Sequence, residues 1–188
     1  MLLMLAGLVV FIGMHAFTTQ RGARAALIAR IGEGPYKILY SLVSIVGLFM
    51  VGYGYGAWRA AEPAQLWFPP IWVRHVSLLL MIPAAILFVA AYVPSHIRVW
   101  LKHPMLAAIK IWALVHLLSN GDIATIVLTL AVLVWAVYAR ISMKRREVAP
   151  KPAPRGWIGD VIAVFAGLAL YLFLLYIFHP YVVGVSAI

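Results

Sequence analysis

The chain has 188 residues, 65% of them hydrophobic and only 11% charged, with a mean hydropathy of +1.02. A soluble domain of this length needs a polar surface that such a composition does not supply, so the expected solvent is the lipid bilayer. The formal charge of +10 does not point to nucleic acid, because the basic residues sit between apolar runs rather than along one polar face. No cysteine occurs, which removes disulfides, thiolate-held iron–sulfur clusters and covalent c-type haem.

The apolar runs predict an all-α fold, a polytopic membrane helix bundle of about six transmembrane helices in one integral membrane domain over residues 1–188. The first span, 1–17, is apolar except for His15; it lacks a basic leader and an A-x-A site, so it is expected to stay in the membrane. Thr18 to Arg30 is a basic connection with interfacial-helix character, broken by Gly32-Glu33-Gly34-Pro35. The second span, 36–56, carries Ser41, Ser44 and Gly47 as a small-residue face suited to close helix contact. A loop over 57–70 holds Trp58 and Trp67, which with Trp72 suit the lipid–water boundary. The third span, 71–93, has Arg74 and His75 near its start and a kink expected at Pro83. Pro94 to Lys102 turns back. The fourth span, 103–119, is marginal in length, begins at His103-Pro104 and stops at Asn120-Gly121. Asp122 is placed to cap the fifth span, 122–143. Lys144 to Arg155 is a basic, proline-rich loop, and the sixth span, 157–178, ends at His179-Pro180.

Six spans put loops 1–2, 3–4 and 5–6 on one side. They hold Arg21, Arg24, Arg30, Arg98, Lys102, Arg140, Lys144, Arg145, Arg146, Lys151 and Arg155, against Arg59 and Arg74 on the other. By the positive-inside rule the basic loops are cytoplasmic and both termini are periplasmic.

The fourth span carries groups that hydrocarbon rejects: His103, Lys110 and His116. At ~100° per residue, Trp112, His116 and Asn120 share one stripe, with Lys110 near His103 on another. Lys110 can snorkel to the headgroups or pair with an acidic ligand group. His75, His96 and His179 read mainly as interfacial residues. His15 and His116 lie deepest, roughly 10 Å and 18 Å above the inner boundary at ~1.5 Å per residue, a difference that helix tilt can absorb. Two readings stand for this pair: ligands of one metal, or polar rings satisfied by neighbouring hydroxyls and carbonyls.

Several segments resemble the NnrU family of integral membrane proteins, named for an association with denitrification. They are Gly13-Met14-His15, Gly32-Glu33-Gly34-Pro35-Tyr36, Ser41-Leu42-Val43-Ser44, His103-Pro104-Met105 and the run from Trp112 to Asp122. That family is similar to the plant 15-cis-zeta-carotene isomerase, a membrane protein with non-covalent haem b. The resemblance implies haem b bound in a bacterial inner membrane, with axial ligands at the positions of His15 and His116. Phe11, Leu8, Trp112 and Ala113 would then face the porphyrin. Lys110, Lys102 or the Arg21–Arg24 region would meet its propionates, and His103 would support the pocket. The isomerase has a cysteine three residues before its second histidine, where this chain has Ala113, so thiolate exchange is excluded here.

The function implied is a redox or isomerase-type role linked to nitrogen-oxide metabolism, with a hydrophobic small molecule or a redox protein as partner. The alternative is a noncatalytic membrane assembly or regulatory protein with structural histidines. A membrane methyltransferase shares the Lys102-His103-Pro104 motif but needs a later carboxylate-bearing cofactor segment, for which only Glu147 and Asp160 remain. No Ser–His–Asp pattern, phosphate-binding glycine loop or H-E-x-x-H motif marks a catalytic residue.

Overall fold

The computed structural model describes residues 1–145, 154 and 156–187, and the chain is an all-α polytopic membrane helix bundle. In chain order the helices are α1 (Leu2–Phe17), α2 (Arg21–Ile31), α3 (Glu33–Ala60), α4 (Ile71–Ala90), α5 (His96–Leu101), α6 (Pro104–Ser119), α7 (Ile123–Lys144) and α8 (Ile158–Phe173), the last continuing as a π-helix over Leu174–Val183. Most of the basic segment expected at Lys144–Arg155, with Glu147, lies outside the described residues.

All six expected apolar helices form, but they are not equal in length. Four are long and apolar enough to cross a membrane: α3, α4, α7 and α8 with its π-helical end. The count reaches five when α1 and α2, bent by 90°, are taken as one broken span. Helices α1 and α6 have 16 residues each, about 24 Å at ~1.5 Å per residue against a ~30 Å hydrocarbon core. The Pro94–Lys102 turn contains the short helix α5, whose N-cap Ser95 accepts a bond from the Arg98 N–H at 3.2 Å. Helix α4 runs unbroken through Pro83.

The chain divides into two compact units. The first comprises residues 1–67 and 121–143. Here α1 and α3 pack closely along a glycine seam. A Cβ added at Gly7 would lie 2.6 Å from the Val51 nitrogen, and one at Gly47 would lie 2.9 Å from the Phe11 nitrogen. Gly54 meets Met4 in the same way, so the contacts step forward along α1 as they step back along α3: an antiparallel pair. Of the expected small-residue face, Gly47 lies in this seam, Ser44 is half-buried one turn beyond it and Ser41 is exposed, while Gly7 and Gly54 carry the rest of the contact. Met4, Leu8 and Val51 form the buried core, packed by Val127, Leu128 and Ala131 from α7. Thr18 and Thr19 close α1 by donating to the His15 and Ala16 carbonyls, and Gly32, at φ 85°, ends α2.

Asp122 caps α7, accepting from the Thr125 N–H at 2.9 Å and its hydroxyl at 2.7 Å. Tyr55 joins α3 to this cap through a 2.8 Å hydroxyl–hydroxyl bond with Thr125. The loop before α4 is tied down as well, because Leu66 N–H donates to the Gly121 carbonyl at 2.7 Å and Ile123 N–H to Ala64 at 3.0 Å.

The second unit comprises residues 68–120 and 144–188. Helix α4 is antiparallel to both α6 and α8. Ser77 near its start meets Ser119 at the end of α6, and Arg74 donates to the Ala187 carbonyl at 3.2 Å beyond the π-helix. Midway, Gly167 of α8 packs on Ile86. At the other end His96 pairs with Asp160 at 2.7 Å, tying α5 to α8.

Candidate functional site

His15 and His116 lie in different units, and each is set by the same local arrangement. The Nδ1 of His15 is 2.8 Å from the Phe11 carbonyl oxygen, one turn back on α1. The Nδ1 of His116 is 2.8 Å from the Trp112 carbonyl, one turn back on α6. A carbonyl oxygen can only accept, so Nδ1 carries the proton in both rings, and in the neutral imidazole Nε2 keeps its lone pair. Each ring also lies against the aromatic side chain of the residue whose carbonyl it holds: 4.2 Å and 36° for Phe11–His15, 4.8 Å and 34° for Trp112–His116. A fixed Nδ1–H with a free Nε2 is how proteins prepare a histidine to ligate a metal.

Around His15, α3 and α7 complete an aromatic enclosure. Tyr40 stands 5.4 Å away, and Trp135 meets the ring edge-on, also at 5.4 Å. Extending the α1–α3 seam by one turn past Phe11 and Gly47 brings His15 level with Ser44, so the glycine contact stops where the polar ring begins. Tyr36 stacks on Tyr40 at 6.4 Å, and the Arg24 guanidinium lies 5.4 Å above the Tyr36 ring. The Tyr36 hydroxyl and the Trp135 indole N–H are buried without a hydrogen-bond partner.

In the second unit His116 has a neighbour that sequence reasoning passed over. His179 lies nearly parallel to it, 6.2 Å between ring centroids and 19° between planes. Its Nδ1 also meets a backbone carbonyl, that of Leu174 at 2.6 Å, five residues back because the segment is π-helical. The sequence signal was a histidine directly after the sixth apolar run, read there as interfacial.

The other expected site residues fall as follows. Trp112 and His116 are brought together as the stripe on α6 anticipated. Lys110 is half-buried on the same helix, and His103 is the N-cap residue of α6. Lys102, exposed at φ 55°, ends α5. Leu8 and Ala113 are buried in helix packing, Leu8 within the core of the first unit. His75 is exposed. His96 is held by Asp160 and lies 4.4 Å from the Trp157 ring. Among the described residues no three His, Cys, Asp or Glu side chains gather as a metal site.

No curated protein and no solved structure matches the chain. The family model described as NnrU protein does match it, over residues 3–187. That match takes in both deep histidines and every described helix except the first residue of α1, and the chain belongs to the NnrU family.

Proposed function

We propose that this inner-membrane protein binds haem b through His15 and His116 and serves a redox or isomerase-type role tied to nitrogen-oxide metabolism. The observation that carries the reading is the arrangement the two histidines share: Nδ1–H on the carbonyl one turn back, which leaves the lone pair of the neutral ring on Nε2. The residues present fit the group. A porphyrin supplies four metal donors of its own, so two imidazoles would suffice to hold its iron where no larger protein donor cluster forms. Neutral imidazoles add no net charge within lipid. The aromatic rings beside His15 and His116 suit a flat apolar macrocycle, and the partnerless donors of Tyr36 and Trp135 suit a group with polar edges.

Bound haem supplies one-electron chemistry, and two histidine ligands favour electron transfer or sensing over substrate binding at iron. What this chain's residues do is orient two imidazoles in one tautomer and surround one of them with aromatic rings. With Ala113 in place of a cysteine, no thiolate can replace His116.

Absorbance tests this directly. Detergent-purified protein from haem-replete cells is expected to show a Soret band and the sharp visible bands of a low-spin bis-histidine reduced state. His15→Ala and His116→Ala are expected to abolish that spectrum or turn it high-spin, whereas His96→Ala leaves it unchanged. A folded, colourless protein that takes up no added haem would sink the proposal and favour a noncatalytic assembly role.

A further inference from the structure

A buried polar group without a partner is costly in water-soluble proteins and more so at membrane depth, where no solvent relieves it. Among the described residues the first unit holds three such groups: the Ser44 hydroxyl and two on rings of the His15 enclosure. Tyr36 is 3% exposed, yet its hydroxyl bonds to nothing, and the Trp135 indole N–H is likewise buried and unpaired. Both belong to the wall around His15. Trp135 meets the histidine ring directly, and Tyr36 follows one step further along α3, behind Tyr40. Arg24 completes the group, with its guanidinium over the Tyr36 ring. Among the described residues the one ion pair of this unit is Glu33–Lys37 at 2.8 Å, on an exposed face of α3; Glu33 also feels the charge of Arg24 but makes its ion pair with Lys37.

Trp135 and Arg24 can only donate, and the Tyr36 hydroxyl, which can also accept, has no hydrogen-bond partner. Two neutral N–H or O–H donors with a guanidinium make a seat for acceptor oxygens bearing negative charge. A porphyrin carboxylate and a phospholipid phosphate share that chemistry. The edge-on contact of Trp135 with His15 favours the former, because a lipid headgroup held at Arg24 leaves the indole unanswered.

We propose that Arg24, Tyr36 and Trp135 hold the carboxylate edge of the macrocycle ligated at His15. This assignment rests on the haem reading above and gives the acidic groups a seat in the first unit, independent of Lys110. The three residues bind and orient; no bond is made or broken.

The test compares haem b with its dimethyl ester, which keeps the iron and macrocycle but removes both negative charges. Full-length protein stripped of haem is titrated with each in detergent, and affinity is read from the Soret band. Wild-type protein is expected to prefer the free acid by roughly 10- to 100-fold, the scale of one or two charge-assisted hydrogen bonds. Tyr36→Phe, Trp135→Phe and Arg24→Gln are each expected to shrink that preference about five- to tenfold while the low-spin spectrum persists. Arg24 sits on α2, which has no buried residues, so its variant keeps the test open if a ring substitution impairs folding. Equal affinity for acid and ester in wild-type protein, or variants with an unchanged ratio, would overturn the assignment. So would variants that lose only a preference for phosphatidylglycerol over phosphatidylcholine nanodiscs, which would make the seat a lipid site. Uptake of neither macrocycle would instead remove the haem reading beneath it.

Discussion

A histidine inside an apolar helix has two ring nitrogens to satisfy, and an unpaired buried one costs about 1–3 kcal/mol. In His15 and His116 a backbone carbonyl with a spare lone pair answers for Nδ1 and leaves Nε2 for a ligand. The stripe of Trp112 and His116 was legible in sequence, because residues four apart share one helix face, whereas the carbonyl that each ring holds shows only in the structure. The arrangement of His179 was not legible: its carbonyl lies five residues back, a reach that exists only because Leu174–Val183 is π-helical. Its nearness to His116 separates two roles. His116 is oriented by the Trp112 carbonyl and not by His179, so His179→Ala is expected to keep a low-spin haem spectrum with at most a small band shift. A high-spin spectrum in that variant would make His179 the ligand and return His116 to a packing role. Gly121 shows the same limit of reading residues one at a time. Its place after Asn120 signals a helix stop, but the reason no side chain fits there is the Trp67 carbonyl, brought in by a loop more than fifty residues earlier.

At the scale of elements, hydropathy located every apolar helix, and the small-residue face read on the second one holds at Gly47 but continues toward Gly54 rather than to Ser41. Ser41, Ser44 and Gly47 share small size, yet helix contact in lipid depends on which face meets a partner, and that face is set by α1. The seam of Gly7, Gly47 and Gly54 lets the α1 and α3 backbones approach until His15. It therefore stabilises the pair and sets where the aromatic enclosure opens. A leucine at Gly47 would drive into the Phe11 backbone, which cannot swing aside like a side chain. Gly47→Leu is expected to cost roughly 1–3 kcal/mol, the usual penalty of overpacking, and to lower the thermal midpoint of the detergent-solubilised protein by several degrees. Gly52→Leu is the control, since nothing lies within 4 Å of a Cβ there. Equal losses at both positions would mean that helix propensity, not the seam, sets the effect. Helix α4 continues through Pro83; in a membrane helix the bond lost at a proline is readily made good by neighbours.

For the whole molecule, the question is which end of each unit faces the cytoplasm. In the first unit α1 and α3 are antiparallel, and Thr19 at the end of α1 bonds Tyr138 of α7 at 3.0 Å. Arg21, Arg24, Arg30, Lys37 and Arg140 therefore gather toward one end of this unit, and Arg59 lies toward the other, near the Asp122 cap. In the second unit the antiparallel α4 and α8 put Arg98 and Lys102 toward the end marked by His96–Asp160, and Arg74 toward the end marked by Ala187. Each unit, taken by itself, thus separates its basic residues as the loop count anticipated. Cations resist translocation when they lie in short loops close to helix ends, which both basic ends do. The crowded ends are expected in the cytoplasm, with Met1 and the C-terminal tail in the periplasm. Because the chain has no cysteine, single cysteines can be introduced at Arg30, Pro150 and Ala187 without background. In intact cells a membrane-impermeant maleimide is expected to label position 187 alone, and permeabilisation should expose 30 and 150. Labelling of 30 or 150 before permeabilisation would reverse the orientation and place the Arg24 end of the His15 enclosure on the periplasmic side.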